Sequence, residues 1–265
     1  VTRAYTDDID LAKRLADVAD AITVPRYTSR DLTVRTKPDR SPVTDADLAV
    51  EEAIRGVLAT ERPQDAIAGE EGGGSIGAGR TWVLDPIDGT KNFLRGVPVW
   101  ATLIALVDDG KPVVGMISAP LLGRRWWADA GGGAWVADPS GQRRLRVSAV
   151  AELSDAYLST TNLNTWDEYH SKQAYLDLVA ACWENRAMGD FWSHCLVAEG
   201  VIDIAAEPIV NPWDVAAAQI LVTEAGGRFT DLTGAERFDG GNALSTNGVL
   251  HDAALRVLSS GLVDR

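Results

Sequence analysis

The residues with the clearest chemical content lie in one run, Trp82-Val83-Leu84-Asp85-Pro86-Ile87-Asp88-Gly89-Thr90-Lys91-Asn92-Phe93. An apolar strand runs into Asp85, Pro86 and Gly89 impose a tight turn, and Thr90 can open a short helix whose first N–H groups face that turn. Taken alone, this is also what an Asx-type turn with a helix cap looks like. Upstream, however, Gly69-Glu70-Glu71 ends a second apolar run at 66–68, and facing strand ends would bring Glu70 into the cleft of Asp85 and Asp88. Carboxylates about 4 Å apart repel by about 4 kcal/mol per pair at an effective dielectric of 20, so the cluster demands protonation or a cation. An all-oxygen set without Cys or His favours a hard metal, and Mg2+ keeps waters and completes its shell with substrate phosphate. The pattern points to phosphoryl chemistry.

These side chains need a sizeable fold to hold them. The 265 residues, 46% hydrophobic and 24% charged, suffice for one large domain or two smaller ones with a buried core. Ile9, Ala12, Leu15, Ala16, Ala19 and Ile22 recur at helical spacing and predict an opening helix. Thr44-Asp45-Ala46-Asp47 is a cap-like start for a second helix, with Asp45 in its first turn. Apolar or alternating runs at 66–69, 81–84, 99–107, 113–118, 125–128 and 134–136 predict the strands of a substantial sheet. Downstream, helices are expected near 168–184, 190–199 and 213–225, with strands at 156–160, 202–206, 227–231 and 243–246. The whole reads as a mixed α/β or α+β fold over 1–265, with a boundary near 140–150 between halves of about 1–145 and 146–265.

Composition narrows the partners. A formal net charge of −13 argues against broad contact with nucleic-acid backbones or anionic membranes, which need clustered Lys and Arg. No stretch approaches about 18 consecutive apolar residues and no signal-peptide pattern is visible, so a soluble cytoplasmic protein is expected. Cys182 and Cys195 form no CxxC pair and no metal-ligand group with the histidines, which fits a reducing setting. The loop Gly72-Gly73-Gly74-Ser75-Ile76-Gly77 satisfies both GxGxxG and GxSxG by composition. A dinucleotide site or nucleophile elbow needs a helix directly after it, whereas another strand follows here.

Gly-Glu-Glu at 69–71, the 82–93 run, Pro-Trp-Asp-Val-Ala-Ala at 212–217 and Thr-Glu-Ala-Gly-Gly at 223–227 together resemble the motif set of the inositol monophosphatase superfamily. Those are Mg2+-dependent, lithium-sensitive phosphatases, and the resemblance spans about residues 9 to 260. It implies a layered α-β-α-β-α sandwich, a homodimer, and two or three Mg2+ ions. By resemblance, Glu70, Asp85 and the Ile87 carbonyl are ligands of a first ion, and Asp85, Asp88 and Asp214 of a second. The phosphate would rest on Asp88, Gly89 and Thr90, with the Gly89 and Thr90 amides as donors. Thr90 and Asp45 resemble the pair that orients the attacking water, with Glu70 assisting catalysis. Lys37 resembles a mobile-loop lysine near the third ion. Trp213-Asp214 by itself also fits an ordinary helix N-terminus, and Lys37 an ordinary solvated loop lysine.

The implied reaction is direct hydrolysis of a phosphate monoester by a metal-activated water, without a covalent phospho-enzyme. Substrate choice turns on the leaving-group side. Met188-Gly189-Asp190-Phe191-Trp192-Ser193-His194 departs from the inositol phosphatases, which place a small or hydroxyl residue after the glycine. Glu207 falls where the family places a substrate-contacting acid. Asp190 and Glu207 together suit a cationic substrate, and Gly-Asp with Arg-Gly-Val-Pro-Val-Trp at 95–100 and Arg-Arg-Trp-Trp at 124–127 is similar to the histidinol-phosphate phosphatases of actinobacterial type. Histidinol phosphate is therefore the expected small-molecule partner. The alternatives are inositol 1-phosphate, another sugar or nucleotide monoester, or an idle family member that binds a protein partner. Asp190 could instead cap the following helix. His194 reads as a packed helix residue rather than a base, and Trp126-Trp127 as packing, with an aromatic wall for imidazole as the alternative. Seven acids, Asp45, Glu70, Asp85, Asp88, Asp190, Glu207 and Asp214, are thus expected to converge on one cleft.

Overall fold

The computed structural model describes residues 5–29, 31–37 and 41–259. The alternating runs form the main sheet. β3 (Ala66–Gly69), β4 (Arg80–Asp88), β5 (Ala101–Asp108), β6 (Lys111–Ala119), β7 (Arg124–Asp129), β8 (Gly133–Asp138) and β9 (Gly141–Arg144) pair in that order, antiparallel except for β3 with β4. Successive strand residues point to opposite faces. Trp82, Leu84, Ile104 and Leu106 accordingly join one core, and Val83, Leu103, Ala105 and Val107 the other.

The first of these cores is closed by α1 (Thr6–Ser29) and α2 (Asp45–Glu61), whose Leu11, Leu15, Ala16, Ile54 and Leu58 pack on the sheet. The second is closed by α6 (Asp190–Ala198) and α7 (Pro212–Glu224). Helix α7 buries Val215 through Ala218 and Ile220 through Val222, the all-round apolar burial expected of a helix between two sheets. It lies so close to β6 that a Cβ on Gly115 would sit 2.7 Å from the Ala217 carbonyl oxygen. Beyond it, β10 (Tyr157–Ser159), β11 (Glu184–Arg186), β12 (Ile204–Glu207), β13 (Arg228–Thr230) and β14 (Ala243–Thr246) form a five-stranded mixed sheet in the order β11-β10-β12-β14-β13. An outer layer of α4 (Leu163–Tyr169), α5 (Lys172–Ala181) and α8 (His251–Ser259) packs around Trp166, Tyr175, Leu178, Leu250 and Leu258. The layers run α-β-α-β-α, the architecture the sequence led one to expect.

Three details differ. The single helix expected at 168–184 is two helices and the start of β11, because Ser171 accepts from the Ala174 amide at 3.2 Å and restarts the chain as α5. The hairpin of β1 (Val34–Thr36) with β2 (Pro42–Thr44) and the edge strand β9 went unread. Both β1 and β9 are exposed throughout, so no apolar alternation marks them. The Gly-rich segment is a loop that leads into β4 with no helix after it, and Cys182 and Cys195 are both free thiols. Among the described residues no helix is long and apolar enough to cross a membrane.

Candidate active site

Asp85 and Asp88 are three residues apart on β4, a spacing that places side chains on opposite faces of a regular strand. The pairing with β5 resolves this. Asp85 stands opposite Leu103 but Asp88 opposite Ala101, so one extra residue is accommodated between them as a bulge. Thr102 Oγ1 holds the bulge by donating to the Pro86 carbonyl at 2.8 Å. Both acids therefore face α7, whose third residue is Asp214. Carboxylate oxygens of Asp85, Asp88 and Asp214 lie within 4.8 Å of one another. The Asp214 carboxylate also accepts from the Asn211 amide at 2.7 Å, so it serves the helix start as well as the cluster.

Burial pushes the carboxyls of Asp85 and Asp88 well above their ordinary range, and neighbouring acids push further: Glu70, Asp88 and Asp214 act on Asp85, and Asp190 and Asp214 on Asp88. The Phe191 amide, donating to Asp88 Oδ2 at 2.7 Å, works the other way. Asp214 is pushed up to about 7 by burial, against the pull of the Asn211 amide. Asp85 Oδ1 is buried without any hydrogen-bond partner. Three converging carboxylates, Asp85 buried with an orphaned oxygen and Asp88 and Asp214 half-buried, are what a hard cation would satisfy. The donor set fits Mg2+ chemically.

Glu70 follows β3 directly, and its amide donates to the Leu84 carbonyl at 3.1 Å, which sets it beside Asp85. Buried Glu51 of α2 shapes this turn by accepting from the Glu71 and Gly72 amides at 2.8 and 2.7 Å. Lys37 reaches in from the β1–β2 loop and donates to Glu70 Oε1 at 2.7 Å and Glu71 Oε1 at 2.5 Å. Burial alone would lower the Lys37 ammonium, but the two glutamates hold it above its ordinary value. The rest of that loop, 38–40, lies outside the described residues.

After the bulge, Gly89 takes φ +82, and a Cβ there would lie 3.1 Å from the Val99 carbonyl oxygen. It opens α3 (Thr90–Arg95), whose start no side chain caps. Thr90 Oγ1 donates to the Ile87 carbonyl at 2.9 Å, and its other neighbour is Asp47 Oδ1 at 3.5 Å.

That neighbour corrects one expectation. Asp45, paired with Thr90 by resemblance, instead binds Arg26 and accepts from the Thr33 amide at 3.1 Å on the outer side of the helix start. Its slight burial favours the neutral acid, but those partners outweigh it and hold the carboxyl below its ordinary value. On an α-helix two positions differ by about 200° around the axis, so Asp45 and Asp47 cannot serve the same side. Asp47 is buried, closes the capping box with Thr44, and is pushed up to about 6 by burial. Its signal was present as the third residue after the Thr44 cap.

A cavity of about 480 Å³ adjoins the cluster, lined by Asp88, Gly89 and Asp214 together with Thr161, Asp190 and Glu207. Asp190 does not cap α6. It has φ +47, Gly189 is the N-cap, and the Asp190 carboxylate lies 3.5 Å from Asn92 Nδ2 beside the Gly89 turn. Burial raises the Asp190 carboxyl, with Lys91 opposing. Glu207, last in β12, is pushed up to about 8 by burial and accepts from Thr161 Oγ1 at 2.8 Å. His194 is buried, its imidazole pushed down to about 4 by burial, with Nδ1 2.8 Å from Ser245 Oγ. The tryptophan pair lies away from the cavity. Trp126 is core, donating to Glu199 at 2.8 Å, and Trp127 lies under Lys13 on the opposite face. An aromatic wall for imidazole is absent from this pair. Asp47, Asn92 and Thr161 are site residues that the sequence reading did not single out.

The chain matches the model of the inositol monophosphatase family over residues 5–262. It is 54% identical over 257 residues to a protein of Mycobacterium tuberculosis named histidinol-phosphatase, covering 96% of this chain and 99% of that one. A protein of the same name from Streptomyces coelicolor is 51% identical, covering 96% and 98%. Among solved structures, an inositol monophosphatase from Zymomonas mobilis superposes with a TM-score of 0.85 at 34% identity, covering 97% and 99%. The chain therefore belongs to the inositol monophosphatase family and is a phosphoric monoester hydrolase.

Proposed function

We propose that this enzyme hydrolyses L-histidinol phosphate to L-histidinol and phosphate, a step of histidine biosynthesis, with Mg2+ as cofactor and as a cytoplasmic homodimer. The observation that carries the substrate is the pair of acids in the cavity, Asp190 beside the Gly89 turn and Glu207 at the end of β12. The two relatives named histidinol-phosphatase support it. Histidinol carries an ammonium and an imidazole, whereas a neutral polyol brings no charge to meet these acids. Glu207, pushed up to about 8 by burial with Asp190 adding to it, would be drawn back to the carboxylate by a cation placed against it.

Glu70, Asp85, Asp88, Asp214 and the Ile87 carbonyl would hold the metal. The chemistry such an ion supplies when bound is polarisation of the phosphoryl oxygens and activation of a water nucleophile. The remaining steps belong to the chain. The amides of Gly89 and Thr90 bind and orient the phosphate, and the left-handed turn at Gly89 lets the backbone approach it closely. Thr90 Oγ1, its own proton committed to the Ile87 carbonyl, keeps lone pairs for the attacking water. Asp47 Oδ1, 3.5 Å from that hydroxyl, takes the proton the water gives up. With a carboxyl near 6, Asp47 is ionised often enough at neutral pH to act as base.

The test is kcat/KM for histidinol phosphate against inositol 1-phosphate, with and without Mg2+. A clear preference for histidinol phosphate is expected, vanishing with chelator. A preference for inositol 1-phosphate would overturn the substrate while leaving the hydrolase class intact.

A further inference from the structure

One hydroxyl joins the two acids of the leaving-group end. Thr161 follows β10 at the rim of the cavity. Its Oγ1 donates to Glu207 Oε1 at 2.8 Å and accepts from the Asp190 amide at 2.7 Å. A hydroxyl has a single proton, so these two bonds assign its direction: the proton goes to the glutamate and a lone pair receives the amide. Of the other hydroxyls among the described residues only Thr160 Oγ1 nears Glu207, at 3.5 Å from Oε2, and the Thr161 backbone amide supports the same carboxyl, so the Thr161 hydroxyl is its shortest side-chain bond.

Asp190 is the more demanding partner. A non-glycine residue at φ +47 is uncommon and persists where its surroundings hold it. That conformation turns the carboxylate away from the helix start, to 3.5 Å from Asn92 Nδ2. The next amide, that of Phe191, is thereby set on Asp88 at 2.7 Å. The Thr161 hydroxyl is thus the shared anchor of β12 and the α6 start, and the spacing of the two acids depends on it.

We propose that Thr161 is a positioning residue for substrate selection, holding Glu207 and Asp190 at the one separation that receives a cationic alcohol. This rests on the reading of the leaving group as a cation. The residue bonds to neither the metal cluster nor the phosphate turn and reaches Asp88 only through the Asp190–Phe191 backbone, so its first effect falls on the spacing of the two acids.

The experiment compares wild type, Thr161→Val and Thr161→Ser on histidinol phosphate and on the neutral esters inositol 1-phosphate and glycerol 2-phosphate, together with inhibition by inorganic phosphate. Valine keeps the shape and removes the hydroxyl; serine keeps the hydroxyl. The expected result is a fall of about tenfold or more in the histidinol-to-neutral kcat/KM ratio for Thr161→Val, carried mainly by KM for histidinol phosphate. The inhibition constant of phosphate should stay near wild type, which also shows that the variant is folded, and Thr161→Ser should recover the wild-type ratio. A Thr161→Val enzyme with the wild-type ratio would overturn the proposal. So would an equal loss on all three esters that serine fails to rescue, the outcome of a purely structural role. The wild-type ratio is read separately, and a wild type without preference for the cationic ester ends the substrate reading itself and this proposal with it.

Discussion

Strand β4 carries a cluster of charges at each end, and the two are built in opposite ways. At its start, Arg80 donates to Asp65 at 3.0 Å and to Asp8 at 2.8 Å, Arg62 joins Asp8 at 3.0 Å, and Trp82 Nε1 adds a bond to Asp65 at 2.9 Å. Two acids meet two guanidiniums, and the cluster is complete by itself. At its far end, Asp85, Asp88 and Asp214 converge with no ammonium or guanidinium paired to any of them among the described residues. The first cluster ties α1, the end of α2 and the sheet together. The second opposes folding until something positive arrives. Acid density alone does not mark a site in a protein of net charge −13; acids that converge without a matching cation do.

The sharpest break of that contrast is Asp85→Asn. Turnover should fall by about 10³-fold, while the metal-free protein melts at a higher temperature because a neutral amide relieves the repulsion. A lower melting temperature without metal would place Asp85 with the structural acids. Next comes the pair at the start of α2. Asp47→Asn, which keeps an acceptor for the Thr44 amide, should lose about 10²-fold in kcat, whereas Asp45→Asn should change it by less than about threefold. The reverse ranking in steady-state kinetics would restore Asp45 as the water-orienting acid.

Acidity gives a third test. Burial pushes Asp47, Asp214 and Glu207 up to about 6, 7 and 8, above the ordinary carboxyl values of 3.8, 3.8 and 4.5. Between about pH 4 and 8 the metal-free native state therefore binds more protons than the unfolded state, and stability falls as pH rises. Binding of Mg2+ displaces the proton of Asp214 and those that burial holds on Asp85 and Asp88, so the gain in melting temperature on adding Mg2+ should be larger at pH 8 than at pH 6, as thermal denaturation would show. An equal gain at both would mean that the cluster does not hold the ion. The smallest effect belongs to the balanced end. Asp65→Asn leaves Arg80 short of a partner and should cost about 1–3 kcal/mol in denaturant unfolding, with Mg2+ affinity by calorimetry unchanged.

Much of the site was readable because its chemistry is local. The strand, the proline, the glycine and the threonine of 82–93 specify a turn whatever surrounds them, and Glu-Glu at the end of an apolar run is equally visible. The large sheet was readable from period-two alternation, and its main strands fall where expected. Exposed β1 and β9 were not, since no buried face imposes a pattern on them. Nor was the division between α4 and α5, where a single serine cap outweighs helical spacing on both sides.

By itself the sequence determined which residue types are available: an oxygen-only set of acids, a Gly-Thr turn after a strand, and an acid at 190 directly after a glycine. Tertiary structure decided which of them meet. The bulge after Asp85 put two acids of one strand on one face, and the rotation of α2 chose Asp47 over Asp45. A left-handed residue at 190, held by Thr161 from another layer, turned a potential helix cap toward the cavity. Each outcome depends on the direction in which a side chain leaves the backbone, and that direction is set by packing between elements far apart in the chain.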